Sequence, residues 1–167
     1  MANINKNDKK INLIINKLSN VLEQLCANDS KINTNNVTIL ANNIKKEAIN
    51  LFNLRSLPKI SFNHYLNKSI GLLTKESSTV IYSLIILDRF ISRGIILNKY
   101  NIYLCFFISF LISVKINEDK VYNDYVYAKL GGIDVKTLIT LEKIYLDVID
   151  YDIIVNEEDF KMYKSNF

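Results

Sequence analysis

Four glycines and one proline in 167 residues are too few for the tight turns of an all-β sandwich or barrel, so composition alone points to helices. The two cysteines, Cys26 and Cys105, stand far apart in apolar surroundings and lack metal-ligand spacing. They imply no disulfide framework and predict a reduced intracellular protein, cytoplasmic or nuclear. The single histidine, His64, has no Ser, Cys or Asp motif beside it from which a triad or a zinc site could be built. Gly131-Gly132 fits neither a GxGxxG nor a GxxxxGKS loop and reads as a helix terminator, so nothing cradles phosphates. The opening residues, Met-Ala-Asn-Ile-Asn-Lys, lack the apolar core and cleavage site of a secretory signal. The most membrane-like stretch, Ile102 to Val114, is about 13 residues long, short of the roughly 18–20 needed to cross a bilayer, and predicts a buried helix instead. Lysines and arginines are dispersed without an aromatic-interleaved stripe, which argues against direct binding of nucleic acid. Neither a metal nor a cofactor is expected, and no membrane partner.

What the chain has is a hydrophobic share of 49 % against 23 % charged residues, enough to bury a core and to exclude wholesale disorder. The length allows one ordinary domain with extensions. The net charge of +4 is uneven: residues 1–75 carry eleven basic and four acidic side chains, residues 76–167 ten and thirteen.

Apolar residues at spacings of three and four, Ile11, Ile14, Ile15, Leu18, Val21, Leu22 and Leu25, predict an amphipathic helix over about 8–27. A weaker pattern spans about 37–54. Leu57-Pro58 forces an extended entry, after which Ser61 caps a helix through Leu72 or Leu73. Residues 76–92 and 99–116 form two further helices with almost no polar face, which other helices must surround; Gly94 ends the first and Asn98 caps the second. Residues 123–130 form a short helix, and Asp134 caps another from Val135 to about Ile149. Tyr151 to Val155 is extended. Glu157, Glu158 and Asp159 open a last helix, where negative charge suits the dipole, and are not read as acid/base groups. The expected division is an N-terminal helical extension over 1–57, a five-helix unit over 58–155 and a C-terminal helix or tail over 156–167.

One feature departs from a plain core. In the helix after Asp134, Leu138, Leu141, Tyr145 and Val148 form one apolar stripe, and Val135, Ile139, Leu146 and Ile149 form a second, with Glu142 inside it. The arc is wider than packing on one side requires, so part of it is available to a partner. A charge inside such an arc needs a mate, and Lys115, extending the Leu104, Ile108 and Leu111 stripe, is the candidate if the two helices adjoin. The alternative is a snorkelling lysine and a rim glutamate; the pattern alone does not choose.

The order of motifs resembles the cyclin family. Leu87-Asp88-Arg89-Phe90-Ile91-Ser92 is similar to the Tyr-Ile-Asp-Arg-Phe-Leu run ending the second cyclin-box helix. Ser113-Val114-Lys115-Ile116-Asn117-Glu118-Asp119 is similar to the Ala-x-Lys-(Phe/Tyr)-x-(Glu/Asp)-(Glu/Asp) pattern ending the third. Tyr127-Ala128-Lys129-Leu130-Gly131-Gly132-Ile133, with Leu141-Glu142 and Tyr151-Asp152 beyond it, resembles the P-type, or P/U, single-box cyclins, whose run is Tyr-Ala-Lys-Val-Gly-Gly-(Val/Ile). The likeness covers about Pro58 to Phe160. It implies an all-α fold, a five-helix cyclin box with additional N-terminal helices and a short C-terminal helix. It also implies kinase-binding roles for Lys115 and Glu142 as a pair, with Ile116, Asp119, Leu146 and Tyr151 around them, and a structural role for Asp88. The chain departs from the family where Pro58-Lys59-Ile60-Ser61-Phe62 replaces the Met-Arg-Ala-Ile-Leu substrate-docking motif of mitotic cyclins. It departs again where Thr137-Leu138-Ile139 replaces Glu-Leu-Asn, and where Asp124 replaces an asparagine.

The function so implied is that of a regulatory subunit, not an enzyme, which binds and activates a cyclin-dependent protein kinase as a heterodimer. The second reading is a cyclin-fold adaptor that binds other proteins without activating a kinase. Either requires the 102–114 helix to be enclosed. An Ile108→Asp change is therefore expected to put an unpaired charge in the core, at a loss of several kcal/mol, and to abolish soluble expression.

Overall fold

The structure is a computed structural model that describes residues 6–28, 46–74 and 76–166. In chain order the helices are α1 (Lys6–Asn28), α2 (Lys46–Ile49), α3 (Phe62–Leu73), α4 (Ser77–Ser92), α5 (Ile102–Asn117), α6 (Asp124–Gly131), α7 (Val135–Val148) and α8 (Glu157–Ser165). A 3₁₀ turn over Asn50–Phe52 follows α2 directly, and no strand occurs among the described residues. The fold is all-α, as the sequence predicts. The first half of the weak helix expected over 37–54 lies outside the described residues; its described half holds α2 and the 3₁₀ turn.

α5 occupies the centre. Every side chain from Leu104 to Val114 is buried, so the helix is enclosed on all sides, as a helix without a polar face must be. Its largest interface is with α4, where serines allow close approach and still satisfy their hydroxyls. Ser109 donates to the Ser83 carbonyl, Ser83 to the Val80 carbonyl at 2.7 Å, and Ser113 to the Ser109 carbonyl at 2.9 Å. The rings of Phe90 and Tyr145 stack at 4.0 Å between centroids, and Phe52 lies against both, which ties α4, α7 and the 3₁₀ turn together. The Tyr145 hydroxyl donates to the Ile86 carbonyl at 3.2 Å; burial pushes its pKa well above the ordinary tyrosine value. On the other side, α1 packs on α3 and α4 through Ile11, Ile14, Ile15, Leu18 and Leu22. Val21, assigned to that stripe from sequence, is exposed instead.

Local chemistry sets the helix ends. Ser61 accepts from the His64 amide, while His64 itself is exposed on α3. Gly94 takes a φ of +88° after α4. α5 begins three residues later than expected, at Ile102: Asn98 accepts from the amides of Tyr100 and Asn101 in a turn of its own, and Asn101 occupies the cap position. α6 ends on two glycines needed for different reasons. Gly132 is left-handed at φ +70°. A Cβ on Gly131 would lie 2.7 Å from Cε1 of the buried Phe107 ring.

The chain beyond α7 crosses α4 as a strap. Arg89 Nη1 donates to the carbonyls of Asp152 (2.9 Å) and Ile154 (3.0 Å) and to the Asp152 carboxylate (3.0 Å), with Asp159 at 3.7 Å from Nη2. The Tyr82 hydroxyl donates to the Ile153 carbonyl at 2.7 Å and accepts from the Val155 amide at 3.1 Å. Further on, the Tyr163 hydroxyl bonds to Asp88, and burial followed by that carboxylate raises its pKa. α8 is opened by a reciprocal cap in which Asn156 accepts from the Asp159 amide at 2.7 Å and donates to the Asp159 carboxylate at 3.0 Å.

Two stability predictions follow. Gly132→Val is expected to destabilise by more than about 1 kcal/mol through its positive φ, and Gly131→Ala by about 1–3 kcal/mol through overpacking against Phe107, both read by urea melts. Arg89→Ala is expected to leave two carbonyls and two carboxylates without their shared donor. Amide exchange should then accelerate over 152–163 before it does in α5, whereas uniform acceleration would mean that the strap does not open separately.

Candidate functional site

The end of α5, the start of α6 and the middle of α7 meet at one point on the surface, each fixed by its own sequence. Lys115 lies in the last turn of α5, where a cation suits the helix dipole. That end is anchored because the Glu118 carboxylate accepts from the hydroxyls of Thr79, at 2.6 Å, and Thr74, linking it to the start of α4 and the end of α3. The α6 start is set by Asn123, whose side chain accepts from the Val126 amide at 3.1 Å, so that Asp124 becomes the first helical residue. Tyr127, fully buried, accepts at its hydroxyl from the Tyr122 amide at 3.0 Å and holds the loop before α6; its pKa is raised, chiefly by burial.

α7 begins at Asp134, which accepts from the Thr137 amide at 2.9 Å and the Thr137 hydroxyl at 2.6 Å. These bonds, the hydroxyl's first, hold the Asp134 carboxyl below its ordinary pKa. Leu138, Leu141, Tyr145 and Val148 are all buried, and this fixes the rotation of α7 about its axis. The second sequence stripe divides: Ile149 joins the core, Val135 and Leu146 are half-buried, and Ile139 is exposed. Glu142 is thereby turned toward Lys115.

Lys115 Nζ donates to both carboxylate oxygens of Glu142 at 2.8 Å and lies 3.5 Å from Oδ1 of Asp124. The three side chains are 29, 17 and 43 % exposed respectively. The two helices do adjoin, so of the two sequence readings the structure carries the paired one. The Tyr127 ring is beneath the ammonium, its centroid 6.0 Å away, at the outer range of a cation–π contact. Such an arrangement is built to orient and to hydrogen-bond. Among the described residues no group of His, Cys, Asp and Glu could hold a metal, and no helix is long and apolar enough to cross a membrane.

Of the other candidates, Ile116 follows Lys115 and is 42 % exposed, and Leu146 is half-buried one turn beyond Glu142. Asp119 is exposed on the loop after α5, and the second carboxylate beside Lys115 comes from Asp124. Tyr151 is 57 % exposed and does not open an extended run as expected. It and Asp150 are consecutive left-handed residues, at φ 55° and 53°. The turn is held by the Tyr151 amide on the Leu146 carbonyl at 2.9 Å, by the Arg93–Asp150 ion pair at 2.9 Å and by the Tyr151 hydroxyl on Asp147, which raises the Tyr151 pKa. Past it, Ile153 and Val155 face inward while Ile154 is 82 % exposed, the alternation of an extended segment. Sequence reading missed the contact of Asp124 with Lys115 and the exposure of Ile154; the one available signal was that a residue following a capping asparagine must sit at a helix start.

The Cyclin family model matches residues 9–153. Among curated relatives, Cyclin-U4-1 of Arabidopsis thaliana is 27 % identical over 123 residues, 72 % of this chain and 61 % of that protein. Cyclin-P4-1 of Oryza sativa subsp. japonica is 29 % identical over 118 residues, 70 % of this chain and 56 % of that protein. The PHO85 cyclin-like protein psl1 of Schizosaccharomyces pombe is 25 % identical over 142 residues, 81 % of this chain and 58 % of that protein. The chain thus spans about three-fifths of the length of these relatives. With a family match that runs from α1 into the start of the strap, and relatives of the U, P and PHO85-like kinds, the chain belongs to the cyclin family, among its P/U-type members.

Proposed function

We propose that this chain is the regulatory subunit of a cyclin-dependent protein kinase, forms a heterodimer with it and holds it in its active form, without catalysis of its own. The observation that carries the reading is the Lys115–Glu142 pair, bonded at 2.8 Å through both oxygens and only partly exposed, at a helix junction beside the uncovered Ile116. A pair already formed offers a partner loop oriented donors and acceptors at little further entropy. Leu146, one turn beyond Glu142 on α7, and Tyr151 supply apolar area for the partner in this reading. A kinase is active when its C-helix sits inward, so that its own Lys–Glu pair surrounds the ATP phosphates. An activator need only bind that state better than the other, and its differential affinity is the whole of its effect. Membership of the P/U-type cyclins, one relative of which is named for PHO85, supports a kinase as the partner.

The test uses a panel of purified cyclin-dependent kinase catalytic subunits, with binding and phosphorylation of a generic peptide as readouts. Glu142→Ala is expected to weaken the productive complex by more than about tenfold, because it removes both short bonds to Lys115 and leaves that ammonium only Asp124 at 3.5 Å, with the melting curve of the isolated protein little changed. Lys115→Ala should behave alike. Two variants that bind and activate as wild type would refute the assignment. If both unfold the protein, the pair is a structural clasp. Binding without activation by the wild-type chain would favour the adaptor reading.

A further inference from the structure

The ion cluster at Lys115 does not balance. Two carboxylates, Glu142 and Asp124, share one ammonium, and no other cation pairs with either among the described residues. Glu142 takes both short bonds at 2.8 Å. Asp124 stands off at 3.5 Å, is the most exposed of the three, and is flanked by Tyr125, which is 67 % exposed. It therefore keeps acceptor capacity directed at solvent. Lys120 and Lys129 are exposed and pair with neither carboxylate.

A partner that docks on the Lys115–Glu142 pair comes up against Asp124, 3.5 Å from the same ammonium, and takes it out of water. Removing a carboxylate from water without a new charge partner is strongly unfavourable, and truncation studies of interfacial charges reflect that penalty. We infer that Asp124 is a specificity-determining residue of the interface, selecting a partner whose contacting segment places a lysine or arginine side chain against it. The inference rests on the kinase-regulator reading and names the chemistry that this reading leaves open. It gives Asp124 a task distinct from favouring the dipole of α6, which any acidic first-turn residue would perform without a partner.

The probe is a purified cyclin-dependent kinase catalytic subunit that the wild-type chain binds, titrated at low and at high ionic strength against the wild-type, Asp124→Asn, Asp124→Glu and Glu142→Ala proteins. Asp124→Asn keeps the size and the acceptor oxygen but removes the charge. Its affinity should fall roughly tenfold at low salt, with a shallower dependence on salt than wild type. Asp124→Glu should restore most of both, which a loss of helix stability would not predict. If Asp124→Asn binds like wild type with the same salt dependence while Glu142→Ala is impaired, the inference fails and the kinase reading stands. If neither variant is impaired, the reading of the whole site fails, and this inference with it.

Discussion

A helix with no polar face decides this architecture. α5 can satisfy its surface only by being enclosed, so α3, α4, α6 and α7 must all find room around it, and the family's order of helices is one solution to that demand. Enclosure has a second effect. Apart from the half-buried Tyr103 in its first turn, α5 reaches water in its last turn, and there stand Lys115, Ile116 and Asn117. The same constraint that makes the core dry thus concentrates the usable chemistry of the central helix at one end.

The strength of the Lys115–Glu142 pair should not be read as folding stability. Both side chains retain contact with solvent, and ion pairs of that kind contribute little net free energy because desolvation and lost rotamer freedom offset the Coulomb gain. What the pair gains from the fold is direction. α7 cannot rotate without exposing Leu138, Leu141 or Tyr145, and α5 cannot shift without disturbing Glu118 and its two threonines. The site is rigid because its supports are core, not because its charges attract.

Features that depend on neighbours in the chain were legible. Ser61 and Asp134 were capping residues within one turn of where they act, and the apolar continuity of 102–114 needed no partner to be recognised. Features that depend on remote contact were legible only in part. Glu142 was marked by its place inside an apolar arc, yet its pairing required knowing that α5 and α7 adjoin. Arg89 is the clearest omission, since its acceptors lie 63 and 65 residues away and nothing within α4 distinguishes it from a surface arginine. Val21 failed for the opposite reason: periodicity names a face but not the width that neighbours cover.

The left-handed corner at Asp150 and Tyr151 has a consequence for how this protein trades one property against another. Two non-glycine residues in that conformation each cost roughly 1 kcal/mol or more, and glycines there would lower the strain while widening the conformations open to the unfolded and the folded chain alike. With Arg93 and Arg89 on its two flanks, the corner instead behaves as a loaded bracket: it holds the aromatic ring of Tyr151 in one attitude before anything arrives to meet it. Low backbone strain and a fixed attitude of the ring are therefore opposed at these two positions, and relaxing them would free the ring as it lowered the strain.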